Sequence, residues 1–226
     1  MFARMPVFSV QGHATRHQPA ERGTIRLTVQ FRGENRASVL AHAARVHADV
    51  VDRAKAHVAG GAATWWGSQA VLAWAFDEWV KPSPNVDQVK VRRFRAGADV
   101  QVKFQDFGAL TAWAAEVAAI EGVAVNGITW ALTDARRDGL QRDVRADAAR
   151  DSVERARAYA DALGYGDVRL LALFEDGLRP HVSGGGGGIG TGMRGAPPPA
   201  GGAQAFEMRP DDIVVTAAVT ADFEAV

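Results

Sequence analysis

The sequence predicts an α+β protein in which a mainly antiparallel sheet is packed by two long helices and one shorter helix. Three observations carry that prediction. Residues 24–32 and 213–223 alternate apolar and polar side chains, the period-two pattern of strands with one wet face, which antiparallel sheets allow. Residues 36–59 and 145–164 bring back apolar or small residues every three to four positions, with charges opposite, as amphipathic helices do. Glycines then stand where those helices must stop, at Gly60-Gly61 and at Gly164.

In chain order, a short alternation at 7–12 is the first expected strand. In 24–32, Ile25, Leu27, Val29 and Phe31 face one way, while Arg26, Thr28, Gln30 and Arg32 face the other. The helix over 36–59 turns Val39, Ala43, Val46, Val50 and Ala54 inward. A strand over 68–80 follows, with Leu72, Trp74 and Phe76 forming an aromatic face expected in the core. Residues 81–85 (Lys-Pro-Ser-Pro-Asn) are turn chemistry. Residues 87–95 and 98–105 read as a strand pair turning at Ala96-Gly97, with Val100, Val102 and Phe104 pointing inward. The shorter helix covers 106–121 on Leu110, Trp113, Val117 and Ile120, and a strand follows through Leu132.

The helix over 145–164 is the stretch around which the chain is organised. Ala149, Val153, Ala156, Ala160 and Leu163 make its inner face, and so little side-chain bulk lets a helix lie close to a sheet. A strand at 167–175 turns Val168, Leu170, Ala172 and Phe174 one way, and the last strand is the regular 213–223. Between them, residues 179–204 hold five glycines at 184–188 and three prolines at 197–199. That composition cannot bury enough apolar surface to offset its ordering entropy. A flexible loop is therefore expected there, inside a single domain spanning 1–226.

Composition narrows function by exclusion. Twenty-six basic residues balance twenty-six acidic ones, so charge gives no argument for nucleic acid or an anionic membrane as partner. There is no cysteine, which excludes disulfides and thiolate metal sites. No run of about eighteen apolar residues occurs, so no membrane-spanning helix is expected. The N-terminal residues lack a signal-peptide pattern, and the expected location is cytoplasmic.

Gly190-Thr191-Gly192-Met193-Arg194-Gly195 has the spacing of a dinucleotide fingerprint, but the strand before and helix after that the mechanism requires are missing. His42, His47 and His57 share a helix at spacings of five and ten, which do not stack two imidazoles one turn apart, and His13 and His17 stand about 13 Å apart along an extended chain. No metal or cofactor is expected. No serine sits in a nucleophile elbow, and Asp211-Asp212 is a strand-entry turn, so no catalytic residues are assigned and the chain is expected not to be an enzyme. Lys90, Arg92, Arg93, Arg95 and Lys103 form a basic cluster read as a solvated strand face. Trp65 and Trp66 are adjacent, so in an extended segment one of them must face away from the core.

Several segments in order resemble the SIMPL-domain family, a group of bacterial proteins with a eukaryotic signalling relative. They are Val7-Phe8-Ser9-Val10-Gln11-Gly12, Phe94-Arg95-Ala96 followed by 100–106, the helix ending Ala160-Asp161-Ala162-Leu163-Gly164, and Arg209-Pro210-Asp211-Asp212-Ile213-Val214-Val215 leading to Val219 and Phe223. The resemblance implies an α+β fold, homo-oligomerisation, and a loose link to stress defence or the cell envelope. It brings no catalytic residues. The chain departs from the family at Phe94, where tyrosine is common, and its first residues show no export-signal pattern.

The leading expectation is a non-enzymatic, self-associating or partner-binding protein with a stress-related role. The alternative is a binder of a small or lipid-like ligand in an aromatic pocket near Trp65–Trp79. Both draw on Trp65, Trp66, Trp74, Phe76 and Trp79 as interface or pocket residues.

Overall fold

The chain runs β1 (Val7–Gln18), β2 (Arg22–Gly33), α1 (Arg36–Ala59), β3 (Ala63–Ser68), β4 (Leu72–Val80), β5 (Val89–Phe104), α2 (Phe107–Ala118), β6 (Val123–Ala131), α3 (Asp134–Ala162), β7 (Val168–Glu175) and β8 (Ile213–Ala225). These elements belong to a computed structural model that describes residues 5–83, 87–179 and 210–226. All of their strand pairings are antiparallel, and the fold is α+β as expected. Contacts divide the elements into two compact units: β1, α3, β7 and β8 in one, and β2 to β6 with α1 and α2 in the other.

In the first unit the strand order is β1-β8-β7, and α3 packs on one face of this sheet. Alternate residues of β8 (Val219, Ala221, Phe223 and Ala225) are buried, and Ala221 and Phe223 pack with Val10 of β1 and Ala156 of α3. The buried side of α3 advances four residues at a time: Leu140, Val144, Ala148, Ser152, Ala156 and Ala160. This face is rotated from the expected one, and Leu163 is exposed. The helix also starts at Asp134 instead of 145, with the Thr133 side chain as its cap. Its first turns hold few large apolar residues besides Leu140 and Val144, too few to display a period.

Small residues bring helix and sheet into backbone contact. A Cβ on Gly12 would lie 2.0 Å from the Ala148 carbonyl oxygen and 2.7 Å from the Ser152 nitrogen. Ser152 is fully buried, and its hydroxyl donates to the Ala149 carbonyl at 2.7 Å, so it fits where an alanine would. Along the rim, Arg16 of β1 donates to Asp143 and Asp147, and the His13 amide donates to Asp151. The Arg16 hydrogen bond holds the Asp147 carboxyl below its ordinary pKa, and the His13 amide does the same for Asp151. β1 therefore runs on to Gln18, beyond the expected end at Gly12, paired with β8 throughout. In β7 a register shift between Leu170 and Ala172 breaks the two-residue alternation and leaves Leu170 exposed.

In the second unit the order is β3-β5-β2-β6, with β4 also paired to β5. The expected turn at Ala96-Gly97 does not exist: β5 is one strand of 16 residues. β2 lies along one edge of it, while β4 and then β3 share the other. Gly97 serves close approach instead, since a Cβ there would sit 2.3 Å from the Val29 carbonyl oxygen. The strand expected at 68–80 is β4, which starts at Leu72, and β3 precedes it as a separate strand that was not expected.

The main core lies on one face of this sheet, where Ile25, Leu27, Val29, Val100, Val102 and Phe104 meet Val50 and Ala54 of α1 and Leu110, Trp113 and Val117 of α2. Asn35 starts α1 by accepting hydrogen bonds from the amides of Ala37 (2.9 Å) and Ser38 (3.1 Å). Asn35→Ala is expected to cost about 1 kcal/mol, read from the midpoint of a urea titration.

Candidate binding face

The face of the second unit's sheet that α1 and α2 leave uncovered gathers aromatic and cationic side chains. Register sets this arrangement, because directly opposed residues on paired strands share a face. On β4, Leu72 opposes Gly97, Trp74 opposes Arg95 and Phe76 opposes Arg93 of β5. On β3, Trp65 opposes Lys103, and on β2, Arg32 opposes Arg95. Three large apolar residues there are open to solvent: Trp65 at 47%, Leu72 at 65% and Trp74 at 45% exposure.

The expectation that Leu72 and Trp74 lie in the core is thus overturned. The alternation in β4 is real but opposite in phase. Ala73 and Val71 pack with Ala96 and with Val39 and Ala43 of α1. Alanine allows the helix to come close, so the bulky residues of β4 take the outer side.

Of the five aromatics singled out in the sequence, Trp74 and Phe76 come together on this face, and Trp65 shares it farther along β5, beside Lys103. Trp66 turns to the core, half-buried beside Lys55, whose ammonium is 5.6 Å from the indole. Trp79 opposes Lys90 and alternates to the other side of β4. The basic cluster divides the same way: Arg93, Arg95 and Lys103 lie on the outer face, and Lys90 and Arg92 on the other. Arg32 joins the group only through its register with Arg95, which no local pattern reveals.

Phe76 is the hub. The Arg95 guanidinium carbon lies 5.2 Å from the Phe76 ring centroid and that of Arg32 lies 5.9 Å away. Arg93 pairs with Glu34 and, at 3.3 Å, with Glu78, and the Glu34 hydrogen bond raises its pKa. Lys103 sits 5.9 Å from the Trp65 ring. Further along, Asn126 donates to the Thr28 hydroxyl at 2.7 Å, and Thr28 donates to Asp99 at 2.6 Å.

Two surface clefts adjoin this end of the sheet. One of about 170 Å³ is lined by Arg32, Gly33, Phe76, Glu78 and Arg93. The other, about 370 Å³, lies between the end of β2 and the start of α1, and includes Phe31, Asn35 and His42. Phe76 lines the smaller one, and no tryptophan lines either.

The three histidines of α1 have local partners. His42 stacks on Phe31 at 4.1 Å, and His57 meets Phe104 and Trp113 edge-on at 5.2 and 5.6 Å. His47 Nε2 is 2.5 Å from the Ser68 hydroxyl, and burial lowers its pKa. Among the described residues no group of three His, Asp or Glu side chains is placed to hold a metal ion. No described helix is long and apolar enough to cross a membrane. Asp211 and Asp212 are exposed just before β8. The glycine motif at 190–195 and all of the loop expected at 179–204 except Arg179 lie outside the described residues.

The family model for SIMPL, described as "Protein of unknown function (DUF541)", matches residues 8–223. The chain belongs to the SIMPL family. No curated protein matches it. The SIMPL match runs from β1 into β8, so it takes in both units and the uncovered face. The SIMPL description carries no activity, and the use of that face has to be read from its chemistry.

Proposed function

We propose that this SIMPL protein is a non-enzymatic module that works as one domain and self-associates through the uncovered face of β3, β4, β5 and β2. The observation that carries this reading is the exposure of Leu72 and Trp74 beside Arg95, with Trp65 exposed beside Lys103 farther along the same face. Exposed aromatics beside arginine are the usual makings of an interface centre. Arg32, Arg95 and Lys103 would meet their own copies in a two-fold contact, and like charges repel. The chain as a whole is neutral, so a cationic face leaves an acidic excess elsewhere on the same surface. A second copy can therefore meet this face with complementary charge in a head-to-tail contact. The resemblance that implies homo-oligomers also supports the reading, and it is the sole ground for a stress-related setting.

Sedimentation velocity tests it. The native mass is expected to exceed the 24.1 kDa of one chain and to rise across micromolar concentrations. Trp65→Ser with Trp74→Ser should remove two anchors worth about 2 kcal/mol each and return the protein to monomer with its circular dichroism unchanged. A wild-type protein that stays monomeric throughout refutes self-association. The binding of a small or lipid-like ligand by the same aromatics, read by tryptophan fluorescence against a ligand panel, then takes its place. Phe76 in the smaller cleft favours this second reading.

A further inference from the structure

Arg32 and Arg95 present an unbalanced charge. They stand directly opposite each other on β2 and β5, where like charges destabilise a strand pair. Both guanidinium groups converge on one ring, Phe76, whose face is a weak counter-charge for two cations. The nearby acids Glu34 and Glu78 are taken by Arg93. Neither Arg32 nor Arg95 makes a hydrogen bond or ion pair with any other described residue. The Nε of Arg95 is buried without an acceptor, and such a group costs stability. Arg32 remains open to solvent and lines the smaller cleft with Gly33, Phe76 and the paired Glu78 and Arg93.

We infer that Arg32 and Arg95 form an oxyanion site that takes phosphate, either free or as a monoester. Two guanidinium forks from different strands suit a tetrahedral dianion, which offers a pair of oxygens to each, whereas a lone carboxylate satisfies one fork. Bound phosphate would offset the repulsion between the two arginines and give the exposed Arg32 guanidinium an acceptor. Trp74, opposed to Arg95 and exposed, is placed to lie against a flat ring carried by a monoester. The site lies on the face assigned to self-association, and the two are told apart because phosphate binding and native mass are read separately.

Calorimetric titration of the full chain with inorganic phosphate at low ionic strength tests it. Saturable binding at one site is expected. Arg32→Gln and Arg95→Gln should each weaken it about tenfold or more, the effect of losing a charge-assisted hydrogen bond. Arg92→Gln removes the same charge from the other side of β5 and should leave affinity within twofold. Absence of saturable binding, or equal weakening by Arg92→Gln and Arg95→Gln, overturns the proposal. A nucleoside monophosphate then separates the two sources. Tighter binding than inorganic phosphate, lost in Trp74→Leu, assigns the site to a phosphorylated ring compound, and equal binding assigns it to the free ion. Sedimentation of the arginine variants shows separately whether assembly has changed.

Discussion

Gly12→Val is expected to lower stability by about 3 kcal/mol or more, and Gly12→Ala by somewhat less. At this position β1 touches α3 through backbone atoms. The first atom of any side chain would sit 2.0 Å from the Ala148 carbonyl oxygen and 2.7 Å from the Ser152 nitrogen. No rotamer relieves a clash at Cβ, so the helix itself has to move off the sheet. That movement opens the small core of Val10, Ala156, Ala221 and Phe223. Overpacking a well-packed core costs about 1–3 kcal/mol when side chains can adjust, and more where backbone must shift. Urea denaturation read by circular dichroism gives the comparison. A Gly12→Ala protein as stable as wild type would mean that α3 lies farther from the sheet than described.

The second large effect separates two tryptophans that look alike in the sequence. Trp113 is 1% exposed, and its ring centroid lies 5.5 Å from that of Phe104 in the core between sheet and helices. Trp113→Ala is expected to cost about 3–5 kcal/mol, the range for removing a buried large aromatic. Trp74→Ala, on the uncovered face, should stay within about 0.5 kcal/mol. The indole nitrogen of Trp113 is buried with no acceptor, so Trp113→Phe gives up no hydrogen bond and should retain much of the lost stability. Comparable losses for Trp74→Ala and Trp113→Ala would refute the division of the sheet into a covered and an open face.

The α+β class, the family, the helix at 36–59 and the inward residues of β2 were all legible in the sequence, because periodicity and stop signals are local. What was lost depended on partners distant in the chain. The pattern in β4 showed that its two faces differ, but not which one meets the helix. Ala43 and Val39 on α1 decide that by accepting Ala73 and leaving Trp74 outside. Gly97 looked like a turn because glycine is the usual turn residue. Its reason here is the Val29 carbonyl on β2, which no local pattern reveals. The candidate face was half legible. The aromatics and the basic cluster were each noticed, but in separate segments and partly on the wrong sides. Their union around Phe76 appears only once β2, β5 and β4 are set in register.

That β5 is one unbroken strand has a mechanical meaning. Its 16 residues span about 50 Å at the usual rise per residue, with no loop or hinge between Arg93 and Phe104. Strands hydrogen-bonded along both sides cannot slide without breaking ladders on both, so β5 behaves as a stiff beam fixed in the sheet. Its outer end carries Arg93 and Arg95, and its inner end is set in the core through Val100, Val102 and Phe104. A load applied at the arginines is therefore borne by the core directly, and the open face keeps its geometry when something pulls on it.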